Sequence, residues 1–264
     1  MDFWSVLYTV VLYSTLTLVG VLVFYAINRV AQATWATDLY PIMQRISAPL
    51  WVVTIALLAL LALLAWRNAE PYYLLRAGGY TAVWLVYRYG VLPKATIAEK
   101  TYPHVLFLVI FFLTELPLSA DWLLSLTPHW HSSLYSWYVL SSLLLSAMAL
   151  VTLFSRSAHY ADMGKYVFAF SCFWAYLWYS QFMLIWYANI PEETVYYEVL
   201  KANGYTPLLI LMMFFSFVLP FLLLLSAAAK RRRVVLFAAA ILVLIGQFLN
   251  FYLLIVPFAN LRNC

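Results

Sequence analysis

Long apolar runs, separated by short clusters of basic, acidic, Pro and His residues, recur eight times along the chain, near residues 4–28, 49–66, 78–93, 104–126, 133–154, 165–189, 206–228 and 233–257. A helix of about 20 apolar residues crosses a hydrocarbon core of about 30 Å, and its internal hydrogen bonds leave no backbone polar group unsatisfied in lipid. The pattern therefore predicts an all-α, polytopic integral membrane protein with about eight transmembrane helices. The third run is the shortest and holds Arg88 near its end. The first run follows "MDFW", which has no basic n-region, and no small-residue cleavage site comes after it, so it is expected to be a retained helix.

Composition agrees with this reading and adds an orientation. Of 264 residues, 66% are hydrophobic and only 9% charged, far from the roughly 25% charged residues of a soluble domain. With eight helices, Arg29, Arg45, Arg88, Lys94, Lys100, Arg156, Lys165, Lys230, Arg231, Arg232 and Arg233 fall on one side. The other side keeps Arg67, Arg76, Lys201 and Arg262 and collects Asp2, Glu70, Asp121, Glu192, Glu193 and Glu198. Basic residues stay cytoplasmic during insertion, so both termini and the acidic loops are expected to face outward. The net charge of +5 is then a topology signal and gives no reason to expect a nucleic-acid partner. Residues 1–264 are expected to form a single transmembrane domain, with residues 1–128 and 129–264 as two four-helix bundles.

The chain offers little chemistry of its own. Cys172 lies inside a predicted helix and Cys264 at the end of the sequence, too far apart in membrane depth to invite a disulfide. His104 and His159 sit near the ends of different runs, while His129 and His131 share one loop, so no pair stands at one depth as axial haem ligands. No cysteine or second histidine cluster completes a metal site around "HWH", and no CxxC, Walker or GxGxxG pattern occurs. No catalytic residue, metal site or directly bound cofactor is therefore expected. Two carboxyls stand out because charge inside a membrane is costly. Glu115 lies two residues before Pro117, and Asp121 follows toward the outer surface. A proline kink there would turn both toward a polar interior as a proton relay or quinone-proximal acid. The alternative is a Glu115 paired to a buried Arg or Tyr and an Asp121 that caps the turn "DWLLSL".

Residues 173–194, "FWAYLWYSQFMLIWYANIPEET", carry the richest pattern. At 3.6 residues per turn Ser171, Trp174, Trp178 and Gln181 fall on one stripe and Tyr176, Ser180 and Tyr187 on another. Trp186 and Tyr187 suit an interfacial aromatic belt. The deeper Trp174, Tyr176, Trp178, Ser180 and Gln181 suit either interhelical hydrogen bonds or a slot for a flat lipid-soluble ring. After Asn189, Pro191 is placed to open a new helix with Glu192 and Glu193 in its first turn. Those carboxylates act either as local capping charges or as a water-connected proton exit and docking edge for an outer subunit.

Several stretches together, "AINRVAQATWATDLYPIMQRI", "YYLLRAGGYTAVWLVYR", "ADWLLSLTPHWHSSLYSWYV", "MGKYVFAFSCFWAYLWYSQFMLIWYANIPEETVYY" and "VLPFLLLL", resemble in order and spacing the ActF subunits of bacterial alternative complex III. Those subunits are relatives of the NrfD/PsrC-type quinol-interacting membrane proteins. The resemblance covers about residues 20–257. It implies a multi-pass subunit of a quinol:electron-acceptor oxidoreductase in the bacterial cytoplasmic membrane, in a respiratory or photosynthetic chain. The implied partners are a second NrfD-like membrane subunit, an outer iron–sulfur protein and c-type cytochromes, with menaquinol or ubiquinol in the complex and haem and iron–sulfur clusters on those partners. By motif match it carries Asp121, His129, Trp130, Tyr176, Ser180, Gln181, Trp186, Tyr187, Asn189, Glu192 and Glu193 as functional positions.

The sequence departs from that family where the pattern has His, His and Asp in the last two helices; Ser216, Gln247 and Asn250 stand there. All three are neutral and pass protons only through intervening water, so a weakened or rerouted proton function is expected. An independent secondary transporter with a midplane site is the rival of another class. Such proteins show matched broken helices, and the sequence offers Pro117 without an evident counterpart in the other half. A self-contained membrane enzyme lacks a metal, nucleotide or nucleophile constellation.

Overall fold

A computed structural model of the chain describes residues 3–68, 71–94, 99–127, 130 and 132–259, and all regular structure among them is helical. The helices are α1 (Phe3–Val30), α2 (Tyr40–Ile46), α3 (Leu50–Asn68), α4 (Pro71–Leu85), α5 (Tyr102–Trp122), α6 (Tyr135–Phe154), α7 (Tyr160–Ala188), α8 (Pro191–Ala202), α9 (Thr206–Met213), α10 (Leu219–Leu224), α11 (Ala227–Lys230) and α12 (Arg233–Ala259). Among the described residues six stretches are long and apolar enough to cross a membrane: α1, Tyr102–Leu126, α6, α7, Thr206–Leu224 and Arg233–Phe258. Thr34–Ile46 and Leu50–Leu63, bent by 45°, make a seventh if the pair is one span. The chain is thus an all-α protein with the build of a multi-pass membrane protein, but six or seven helices meet the requirement where the sequence pattern gave eight.

The second run qualifies only as part of that bent pair, and the third falls short altogether. It lies in α4 and its π-helical continuation Val86–Val91, where Arg76, Arg88 and several tyrosines dilute the apolar character. Its path nevertheless matches that of its neighbours. At one end Arg76 pairs with Asp121 near the end of α5, with Nε to Oδ2 at 2.8 Å. At the other end the Tyr89 hydroxyl donates to Ala48 O (2.7 Å), just before α3, and the Tyr87 hydroxyl lies 2.7 Å from His104 Nδ1 at the start of α5. This helix therefore runs antiparallel to both α3 and α5 over their shared height.

α1 packs on α3 and α5, and α4 closes the ring against both. In the second half α6 packs on α7 and α12, and the α9–α10 segment lies against α12 and α7. α1 and α6 join the two groups and are the most deeply buried helices. Small residues permit that close seam, as is usual where helices associate in lipid. A Cβ added to Gly20 would lie 2.5 Å from Leu143 O and 2.9 Å from the Ala147 Cβ. Gly246 of α12 likewise lies hard against Ser216 in the π-helical turn Phe214–Val218.

The two halves share details that the sequence reading missed. Each has a π-helical turn in its third long helix, Val86–Val91 and Phe214–Val218. Each has a proline inside its fourth, Pro117 in "FFLTELPL" and Pro257 in "FYLLIVPF". Pro117 therefore has a counterpart. Helix direction also sorts the charges: Arg29, Arg88, Lys165 and Lys230 lie at one end of the bundle, and Asp121, Glu192, Glu193 and Glu198 at the other.

Candidate functional site

At the acidic end, α7 stops at Asn189, whose φ of 48° is the left-handed conformation that Asn tolerates better than most residues. Ile190 is extended, and Pro191 opens α8 with Glu192 and Glu193 in the first turn, where the positive end of the helix dipole favours them. The local break is therefore the one predicted. α8 buries Tyr196 and Leu200. The Tyr196 ring stacks between Trp130 (4.9 Å between centroids) and Phe258 (5.3 Å), which ties the helix to the bundle end. Burial pushes the Tyr196 and Tyr197 phenols well above their ordinary range, so both remain neutral packing groups.

Beneath α8 opens a cleft of about 590 Å³. Ser132, Ser133, Gln181 and Glu193 supply its polar groups, and Leu124, Leu184, Ile185 and Ile190 are among its apolar ones. Two predicted residues that are twelve positions apart, Gln181 and Glu193, thus share one surface. Gln181 is buried and fixed on α7, whereas Glu193 enters from the first turn of α8. Sequence reasoning missed Ser132 and Ser133. Their only signal was position, in the loop beside "HWH".

The other predicted residues scatter. Glu192 is exposed. Tyr176, Trp186 and Tyr187 face away from the bundle, with Tyr187 85% exposed, and Asn189 serves as the helix cap. Trp178 is half-buried and stacks on Phe182 at 5.6 Å, and Ser180 is also half-buried. His129 lies outside the described residues. The two stripes therefore separate: Ser171, Trp174 and Gln181 are buried, while Tyr176 and Tyr187 lie on the surface.

The two first-half carboxyls lie in different surroundings. α5 continues as a helix through Pro117, and the two groups part. Asp121 accepts both Arg76 Nε (2.8 Å) and Nη2 (3.0 Å) and the Tyr80 hydroxyl (3.1 Å). It is an ion-pair residue, and what caps the following turn is its backbone carbonyl, which accepts Ser125 Oγ at 2.6 Å. Glu115 is buried, and its Oε1 has no hydrogen-bond partner, so neither an Arg nor a Tyr holds that oxygen.

Asn250 and Gln247 belong to a polar network in the second half. Tyr138 donates to Asn250 Oδ1. Asn250 Nδ2 donates to Ser142 Oγ (3.1 Å) and, at longer range, to Gln247 Oε1 (3.4 Å). Trp174 Nε1 donates to the same Ser142 Oγ (3.0 Å). This network is buried and wholly neutral, and Gln247 Nε2, Ser171 Oγ and Ser216 Oγ lie buried without partners. Trp174 is therefore an interhelical hydrogen-bonding residue. Tyr138 and Ser142 escaped sequence reasoning, although Tyr138, Ser142 and Ser146 recur every fourth residue of α6 and mark a polar stripe.

Among the described residues no three His, Cys, Asp or Glu side chains group as metal ligands. His104 contacts Tyr87, and His159 Nε2 lies 3.6 Å from Asp38. Fold and site together define an all-α protein of the multi-pass membrane class, with an amphiphilic cleft at its acidic end. No protein-family model matches the sequence, and no curated protein does.

Proposed function

We propose that the chain is an ActF-like membrane subunit of a quinol:electron-acceptor oxidoreductase of the alternative complex III type. In this reading the polypeptide scaffolds the membrane arm and assists quinol binding or proton transfer. It sits in the bacterial cytoplasmic membrane with eight passes in two four-helix groups and both termini outward. The antiparallel course of α4 between α3 and α5 supports the eighth pass, and the separation of basic from acidic residues supports the orientation.

The observation that carries the functional reading is the cleft, where Gln181 and Glu193 face aliphatic side chains. A quinol head is flat, apolar in its ring and polar at two hydroxyls, which matches an apolar slot with a few placed polar groups. In use, a quinol's two electrons pass to the outer iron–sulfur partner and its two protons leave through water, with the Glu193 carboxylate on the cleft wall placed to relay one of them. The neutral Tyr138–Asn250–Ser142 network holds no group that takes up a proton at ordinary pH, which favours proton release at the outer surface over a path through this subunit.

Purification in mild detergent tests the assignment: haem and iron–sulfur subunits, including a second NrfD-like protein and c-type cytochromes, should co-migrate with the chain. A lone monomer that supports solute flux would overturn it and establish the transporter reading. That rival gains from the matched π turns and prolines of the two halves. The interior of the second half around Ser142 and Asn250, however, is filled by packed side chains of the neutral network.

A further inference from the structure

The end of the molecule opposite the cleft carries a constellation that the proposed function leaves unused. At the end of α1 the Arg29 guanidinium lies over the rings of Tyr40 (4.2 Å) and Tyr25 (5.5 Å), and its Nε donates to the Tyr25 hydroxyl at 3.1 Å. Gln44 Nε2 reaches that hydroxyl at 3.4 Å, and the Gln44 carbonyl accepts Arg88 Nη2 at 2.7 Å. Arg88 comes from the π-helical turn Val86–Val91, lies over the Tyr89 ring at 5.1 Å, and keeps its Nε buried without a partner. Gln44 thus ties together two guanidinium groups from helices far apart in sequence.

Among the described residues neither cation has a counter-charge. The ion pairs among them are Arg76–Asp121, His159–Asp38 and Lys165–Asp162, none of which involves Arg29 or Arg88. A half-buried cation with no acid beside it carries a desolvation cost that an anion from outside the chain would offset. With Arg88 Nη2 on the Gln44 carbonyl and Arg29 Nε on Tyr25, the remaining guanidinium N–H groups are the donors left for phosphate oxygens, and in the orientation proposed above, on which this inference rests, basic pockets between membrane helices suit anionic headgroups. Beside Tyr89, which accepts from the Trp51 backbone N–H, exposed Trp51, Val52 and Val86 offer an apolar surface along which acyl chains can lie. We propose that Arg29 and Arg88 hold the phosphate of an anionic phospholipid of the phosphatidylglycerol type at this end of the first helix group.

The test is native mass spectrometry of the full chain in mild detergent, titrated with phosphatidylglycerol, phosphatidylcholine or inorganic phosphate. Phosphatidylglycerol should bind at least tenfold better than phosphatidylcholine, and inorganic phosphate should not displace it. The double variant Arg29→Gln, Arg88→Gln should lose about tenfold, whereas Arg231→Gln with Arg232→Gln should stay within twofold. Equal binding of the two lipids, displacement by inorganic phosphate, or an equal loss in both double variants would each overturn the proposal, the last by showing diffuse charge attraction. If the first double variant does not fold, Arg88→Lys decides, because it keeps the charge and loses the fork. A loss of at least threefold supports the site, and unchanged affinity sinks it.

Discussion

Glu192 and Glu193 stand side by side in one helical turn but meet different surroundings, the first open to solvent and the second on the wall of the cleft. Under the proposed function, the double change Glu192→Gln, Glu193→Gln should slow quinol oxidation in the proposed complex or loosen its outer subunits, and Glu193→Gln alone should reproduce most of the slowing. Unchanged turnover, proton release and subunit composition in the double variant would leave both residues as helix-capping charges. Asn250 belongs to another environment, since it links Tyr138, Ser142 and Gln247 inside the second half. Asn250→Leu strands the Tyr138 hydroxyl and should cost about 1–2 kcal/mol, between the average for hydrogen bonds in membranes and the cost of a buried unsatisfied group. The unfolding midpoint in detergent measures it. Asp121→Asn should cost under about 1 kcal/mol, because Arg76 is nearly half exposed and water screens the pair.

Between elements, the seam of α1 with α6 depends on the absence of a side chain at Gly20. Gly20→Val places new carbon against the Leu143 carbonyl and Ala147, neither of which is the flexible tip of a side chain. The overpacking should lower stability by about 1–3 kcal/mol and be visible as a lower melting temperature. Gly78→Val, on α4 where an added Cβ meets nothing within 4 Å, is the matched control and should melt no lower than a degree or two below the unaltered chain. A similar fall in both variants would mean that the β-branched side chain itself, rather than the seam, governs the effect.

At the scale of the whole molecule the arrangement of charge is the main determinant. Basic residues gather where α1 ends and α12 begins, and carboxylates where α5 and α7 end. With Cys172 and Cys264 replaced by Ser, Glu192→Cys should react with an impermeant thiol reagent from outside the cell and Arg231→Cys only after the membrane is opened. A reversed pattern would place the cleft in the cytoplasm and remove the outer docking edge on which the proposed assembly depends.

Hydrophobic periodicity alone determined that the chain is helical and suited to a membrane, because a span of about 20 residues must satisfy its backbone locally whatever surrounds it. It also determined the break at Asn189–Pro191, where the residues themselves set the conformation. Tertiary packing decided what local pattern cannot encode. It turned Trp174 inward and Tyr176 outward on the same helix, separated Glu115 from Asp121, and gathered Ser132, Gln181 and Glu193 around one cleft. A side chain's partner depends on which helix lies opposite, and that follows from the summed contacts of the bundle rather than from sequence spacing.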